Sequence, residues 1–443
     1  MKHVLTILLA AMLLGACMDE TPTPSRAPAV TPIPATAPPP AGASATVALV
    51  PAATATVAPP PAATDTIVPL PAATDTTAPS PPSTATLPSA GTPTTAPSGD
   101  TVKTQVQVVA SGLDTPWSID FAPDGRIFLT ERLGRVRVIK DGALQATAWA
   151  TLPVAERGES GLLGLALDPQ FAQNGYVYLA YTYTGGSGLR NRLVRLHDDP
   201  ATGTGTQDRV LADGLLGGTN HDGGRVKFGP DGKLYWTMGE TFNGPLAQDL
   251  QSLSGKILRY NPDGSIPADN PFPGSPIYSY GHRNPQGLAW QPGTGRLYET
   301  EHGPSGEKGC CQDEVNLIEP GQNYGWPVIS GAETRAGMVA PILQSGTSTT
   351  WAPSGAAFVS AGPWAGSFLF AALRGEALYR VILDPSRPRG VVDLERWFYQ
   401  SYGRLRDVAV GPDGGIYILT SNRDGRGSPR SGDDKVLKLT LTP

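Results

Sequence analysis

One short pattern, an apolar residue followed by a Pro-Asp-Gly turn and a second apolar run, returns often enough along residues 101–443 to dictate how they can fold. It is sharpest at Phe121-Ala-Pro-Asp-Gly-Arg-Ile-Phe-Leu, Phe228-Gly-Pro-Asp-Gly-Lys-Leu-Tyr-Trp and Val410-Gly-Pro-Asp-Gly-Gly-Ile-Tyr-Ile, with looser copies starting at Leu167, Trp290 and Phe358. Proline presets the first corner of a tight reversal, Asp-Gly completes it, and the flanking β-branched and aromatic residues suit strands, so each copy reads as a β-hairpin. Successive copies fall roughly fifty to seventy residues apart, which leaves room for one four-stranded sheet each. Six copies therefore predict an all-β fold, a six-bladed β-propeller of four-stranded antiparallel sheets. Few segments sustain a helical period, which argues against an α/β fold.

Ahead of the repeats the chain changes character. Residues 1–17 hold a basic start at Lys2 and His3, an apolar run from Val4 to Leu14, and then Leu14-Gly15-Ala16-Cys17. That run is too short to span a bilayer as a helix and reads as a secretory signal. A small-residue pair before Cys is similar to the lipobox of bacterial lipoproteins, whose Cys is acylated and becomes the new N-terminus. The competing reading is a signal peptide with an incidental Cys. Residues 18–100 are Pro, Ala and Thr with almost no charge or aromatics, and Pro51-Ala-Ala-Thr returns at Pro61 and Pro71. Such a stretch buries too little apolar surface to offset its ordering entropy, and its prolines keep it extended, so it reads as a disordered stalk. The expected organisation is a leader at 1–17, a disordered linker at 18–100 and the propeller at 101–443. The expected location is extracytoplasmic, at the cell surface or in the periplasm, with the membrane met only through lipidated Cys17. A formal net charge of −5 gives no case for nucleic acid.

Hairpin geometry then gathers polar residues. Those just before the first strand and just after the second emerge at the same end of a blade. Glu159, His221, Arg283, Trp351, Arg404 and Arg406 lie upstream of their hairpins; Glu131, Glu240, Glu301, His302 and Arg374 lie on the return side. In equivalent blades they converge on one mouth of the propeller, where the alternative is a set of ordinary surface loops. A carboxylate such as Glu240 beside His221 would fix the imidazole tautomer and raise its basicity, as a general base requires. Arg283 offers a permanent cation for a developing oxyanion. Arg374, Arg404 and Arg406 suit a polyanionic ligand, and the carbonyls of Gly303-Pro304 are hard oxygen donors of the kind calcium accepts. No zinc-ligand spacing, nucleophile elbow or dinucleotide fingerprint stands out, so redox chemistry here would need a bound cofactor.

The segments Thr115-Pro-Trp-Ser, Gly161-Leu-Leu-Gly, Asn220-His-Asp-Gly-Gly-Arg, Gly281-His-Arg-Asn-Pro-Gln-Gly-Leu, Glu301-His-Gly-Pro, Asp313-Glu-Val-Asn, Asn323-Tyr-Gly-Trp-Pro and Arg404-Leu-Arg-Asp run in order along residues 109–439. Together they resemble the soluble sugar dehydrogenases that use pyrroloquinoline quinone (PQQ). The resemblance implies oxidation of an aldose at its anomeric carbon to a lactone, with PQQ and Ca2+ as cofactors. It also implies an external electron acceptor: a quinone, a cytochrome or a dye. His221 would then take the anomeric proton, Glu240 would orient it, and Arg283 and Asn284 would meet the quinone oxygens. Arg404 and Arg406 would meet the cofactor carboxylates, with Glu159, His302 and Arg374 also around the cofactor. Gly303 and Pro304 would give calcium their main-chain carbonyls.

This chain departs from the pattern in four places. Glu159 and His302 stand where the glucose enzyme has Gln, Arg374 stands for a Lys, and Trp351 is shifted from the expected stacking Trp. A carboxylate at 159 must be paired or protonated there. Adjacent Cys310 and Cys311 in a secreted protein read as a vicinal disulfide stiffening a site loop, against two buried thiols. Asp313 is placed either to orient the calcium loop or to bind substrate. Two rival functions remain, a calcium-dependent propeller lactonase, which has no need of the arginines, and a non-catalytic cell-surface binding propeller.

Overall fold

The computed structural model describes Thr94–Thr95 and residues 102–306 and 309–442. The leader, Cys17 and all the stalk except Thr94–Thr95 lie outside the described residues. Six blade sheets follow one another along the chain, their blade-forming strands antiparallel and, apart from the outermost strands of blades 5 and 6, laid out in sequence order. Their first strands are Pro116–Phe121, Leu162–Leu167, Val226–Phe228, Pro285–Trp290, Pro353–Phe358 and Leu405–Val410. In five of the six junctions the first strands of neighbouring blades touch, and at the third the second strand, Leu234–Met238, takes that place. The ring of blades 1 to 6 is the predicted propeller. Each Pro-Asp-Gly copy turns between first and second strand, for example Phe121 opposite Ile127 and Val410 opposite Ile416.

Two features were not read from the repeats. Blade 6 takes its fourth strand from the other end of the domain: Lys103–Ala110 runs antiparallel to Val436–Thr442, with Val106 opposite Leu439. Thr94–Thr95, inside the segment expected to be disordered, form a short parallel strand beside Glu395 and Arg396 of blade 5. Among the described residues no helix is long and apolar enough to cross a membrane.

The blades pack through apolar layers, such as Tyr178, Val226, Trp236 and Leu258 between blades 2 and 3. At the axis the contact is polar. Arg225, wholly buried at the entry to blade 3, donates from Nε to the Gln286 carbonyl of blade 4 at 2.8 Å. Its Nη1 donates to Ser118 Oγ of blade 1 at 3.0 Å and to Asp407 Oδ2 of blade 6 at 2.9 Å. The guanidinium lies 4.2 Å from the centre of the Trp117 ring. Blade 5 contributes space: a Cβ on Gly355 would come within 1.6 Å of Asp407 Oδ1, so only glycine lets the carboxylate reach the axis.

A buried ion pair stripped of one partner leaves an uncompensated charge in a dry site. Asp407→Ala is therefore expected to cost about 3–5 kcal/mol in chemical denaturation, whereas an Arg225→Met, Asp407→Leu double variant should cost clearly less than the sum of the single variants. Equal costs for the double variant and that sum would show that the pair does not couple the blades.

Candidate active site

At one mouth of the propeller a cavity of about 390 Å³ is lined by Glu159, His221, Arg283, His302, Arg374 and Arg404, all placed there by the hairpin register, together with Gly303 and Pro304. Phe242, Asp313, Trp326 and Arg426 complete most of the wall. The other three expected residues, Glu240, Asn284 and Arg406, sit directly behind it.

His221 follows the last turn before blade 3 and holds φ at +58°, a left-handed value uncommon outside glycine. Its Nδ1 lies 3.0 Å from Glu240 Oε1, and both side chains are buried. An ionised carboxylate only accepts, so Nδ1 carries the proton and Nε2 keeps its lone pair. The second Glu240 oxygen accepts the Asn243 N–H at 3.1 Å, which fixes the carboxylate from the far side. The His221 N–H in turn donates to Glu159 Oε2.

Glu159 is paired, as its position required, and its partner is Arg426, which no sequence argument had named. Burial works against the ionised carboxyl, but the Arg426 guanidinium paired with it holds it below the usual carboxylate range. Burial also pushes His302 down to about 3, so this imidazole is neutral at ordinary pH and Arg426 supplies the countercharge. Arg283 donates to the His302 carbonyl at 3.1 Å and lies 5.3 Å from the centre of the Trp326 ring. Behind it, Asn284 accepts the Gly223 N–H at Oδ1.

The two arginines of blade 6 share a counterion that the sequence reading missed. Asp424 Oδ2 lies 2.8 Å from Arg404 and 3.8 Å from Arg406, and Arg406 also donates to Gln286 Oε1 at 2.9 Å. Burial pushes the Arg406 guanidinium down to about 9, with Asp424 acting the other way. Asn284 Nδ2, His302 Nε2 and Arg406 Nε are buried without a hydrogen-bond partner. Three unsatisfied polar atoms around one cavity mark where a polar ligand is missing its contacts.

Gly303 and Pro304 lie in the excursion between Leu297–Glu301 and Glu314–Ile318 of blade 4. A Cβ on Gly303 would meet the Cys311 carbonyl at 2.0 Å, so the loop closes only with glycine. Asp313 settles between its two alternatives on the structural side. Its Oδ1 accepts the Gly303 N–H at 3.0 Å, and its Oδ2 accepts the N–H groups of Trp351 and Ala352 at 2.7 and 3.0 Å. It thus pins the loop from behind while also reaching the cavity wall. Cys310 and Cys311 are disulfide-bonded, with Cys311 buried.

Three residues placed at the mouth by register alone are elsewhere. The Trp351 ring is buried against Phe370 and Tyr379 inside blade 5. Glu131 is consumed by Arg135 and the Asp114 N–H. Glu301 lies behind the wall, accepting the Arg283 N–H and facing His282 Nδ1 at 2.9 Å. In each case the backbone exits where expected, but a nearer partner turns the side chain inward. Arg426 and Asp424 could have been found by extending the return-side rule past Thr420 to Asn422-Arg423-Asp424-Gly425-Arg426. Phe242 carries no charge and gave no such signal.

Fold and site together define a propeller enzyme that presents an oriented imidazole to an arginine-rich, polar cavity. The chain belongs to the Glucose / Sorbosone dehydrogenase family, whose model matches residues 113–429. It is 34% identical over 353 residues to the aldose sugar dehydrogenase of Escherichia coli K12, covering 74% of this chain and 93% of that one. It is 29% identical over 434 residues to quinoprotein glucose dehydrogenase B of Acinetobacter calcoaceticus, covering 76% and 89%. The PQQ-bound structure of an aldose sugar dehydrogenase from Streptomyces coelicolor superposes with a TM-score of 0.68 at 38% identity, covering 77% of this chain and 99% of the other.

Asp222, beside the imidazole, gives a test of the site's electrostatics. Its Oδ1 accepts from Asn191 Nδ2 at 3.0 Å and the Gly218 N–H at 2.8 Å, while Oδ2 is buried without a partner. Burial pushes its carboxyl from 3.8 up to about 7. The fold thus favours the neutral acid, and that contribution is complete below about pH 4 and lost as the pH climbs to 7. Asp222→Asn, which keeps the shape without the charge, should stabilise the protein at pH 8 by about 1–3 kcal/mol and change little at pH 4. An unchanged difference between the two pH values in thermal melts would refute the burial argument.

Proposed function

We propose that this protein is a PQQ- and calcium-dependent aldose sugar dehydrogenase that oxidises the anomeric carbon of an aldose to a lactone. The observation that carries this reading is the meeting, in one cavity, of the Glu240-oriented His221 with the arginine ring and the unsatisfied Asn284, His302 and Arg406 atoms. The donor set fits a flat polyanion: Arg374, Arg404, Arg406 and Arg426 are cationic, and the orphaned nitrogens need acceptors or polar partners. When bound, PQQ supplies the two-electron acceptor that no side chain here can replace. Arg283 and Asn284 would hold its quinone oxygens, Arg404 and Arg406 its carboxylates, and the carbonyls of Gly303 and Pro304 a calcium ion.

His221 Nε2 takes the proton of the anomeric hydroxyl, and Glu240 stabilises the imidazolium that results. Arg283 offsets negative charge that develops at the cavity floor. Ionised Glu159, held by Arg426, fixes the main chain of His221 through its N–H, so that the base stays oriented. The lactonase alternative is weaker because lactone hydrolysis has no use for the cationic wall. The electrons would leave to an external acceptor, and the leader with Cys17 would place the enzyme outside the cytoplasm on a lipid anchor.

Protein from a host that makes no PQQ should be inactive. PQQ with calcium should restore dye-linked aldose oxidation and raise the melting temperature, since both ligands bind the folded state. A chelator during reconstitution should block both. Lactone hydrolysis with calcium alone, or no response to PQQ in either measurement, rejects the assignment. His221→Ala should lower kcat at least a hundredfold while PQQ still shifts the melting temperature; near-normal turnover in that variant removes His221 from the proton step.

A further inference from the structure

Phe242 is the only one of the exposed large apolar side chains, among the described residues, that also lines the active cavity; it is 60% exposed. Surface phenylalanines are common singly and need no explanation. This one is held in place by unusual means. Thr241 and Phe242 take φ values of +55° and +62°, a region that bulky side chains seldom occupy. Surrounding bonds enforce the turn. The Thr241 N–H donates to the His221 carbonyl at 3.2 Å, and the Asn243 N–H donates to the Glu240 carbonyl at 3.0 Å. Thr241 Oγ1 donates to the same Glu240 carbonyl at 2.8 Å, and Glu240 Oε2 accepts the Asn243 N–H as well. The residue that orients the base therefore also anchors the turn carrying the phenyl ring. That ring ends 4.1 Å from the His221 imidazole, centre to centre, tilted by 40°.

A strained, rigidly tied backbone that keeps an aromatic ring in water beside a catalytic base is a cost with no return in the folded protein alone. The return must come from a ligand with two faces: a hydroxyl for His221 Nε2, and beside it a patch of C–H groups for an aromatic surface. A pyranose has both on one ring. We propose that Phe242 is a specificity-determining residue that receives the C–H face of a pyranose while its anomeric hydroxyl meets His221. The proposal rests on the dehydrogenase reading above and adds the residue that receives the sugar ring.

The test uses the full protein reconstituted with PQQ and calcium. Phe242→Ala should raise KM for glucose and other pyranoses about tenfold, roughly 1.4 kcal/mol, with kcat falling no more than about twofold. The inhibition constant of methyl glucoside, which has the ring but no free anomeric hydroxyl, should rise by a similar factor. Erythrose, which keeps an anomeric hydroxyl but closes only to the smaller furanose ring, should lose less. Phe242→Trp should restore both pyranose constants. If the ring merely shields the base, Phe242→Ala will instead lower kcat for pyranoses and erythrose alike and leave methyl glucoside inhibition unchanged, and the platform is wrong. The two levels separate cleanly. Wild-type turnover with unaltered pyranose KM in Phe242→Ala overturns the platform alone, whereas a wild type that oxidises no aldose overturns the dehydrogenase reading and the platform with it.

Discussion

A single buried guanidinium ties the propeller to its axis. Arg225 donates to Gln286, Ser118 and Asp407, which belong to three different blades, and rests on Trp117. The active cavity is built from the same stretches of chain. His221 lies four residues before Arg225, Arg283 three before Gln286, and Arg406 immediately before Asp407. Positions a few ångströms apart along short, strand-anchored segments have little freedom to wander. The lock at the axis therefore fixes the spacing of base and arginines at the mouth, and disturbing one should disturb the other. This also explains why the segments around His221, Arg283 and Arg404 read as signatures: each combines an axial role with a mouth role.

Much of the fold was legible because the turn chemistry is local. Proline, Asp and Gly at fixed offsets announce a hairpin whatever surrounds it, and the count of hairpins gives the blades. The closing strand was not legible, since Lys103–Ala110 becomes part of blade 6 only through a partner more than three hundred residues away. At the site, the backbone register correctly brought His221, Arg283, Arg374 and Arg404 to one mouth. Register says where a residue leaves the sheet, not which way its side chain turns. Trp351 turned into the apolar interior of blade 5 and Glu131 toward Arg135, each choosing the nearer satisfaction. The position of Asp424 lay within reach of the return-side rule, but its role as a counterion was not legible, for a related reason. Counterions are recognised by what they face, and its partner Arg404 is twenty residues upstream.

The cavity carries its charge in a prepared form. Arg404 is steered by Asp424 and Leu373, Arg406 by Gln286, and Arg283 by the His302 carbonyl. Side chains already held in position lose little freedom when an anionic ligand arrives, so more of the contact energy appears as affinity.

Closure by Lys103–Ala110 fixes an order of events in biogenesis. Lys103–Ala110 has no partner in its sheet until Val436–Thr442, the last described strand, has been made. Until then it offers an unpaired edge carrying three Val, a template for pairing with other chains. The ring can close only once Val436–Thr442 has been made, and until then the blades stand as an open string. Truncation at the C-terminus by as little as the final strand would leave both ends of that string unsealed.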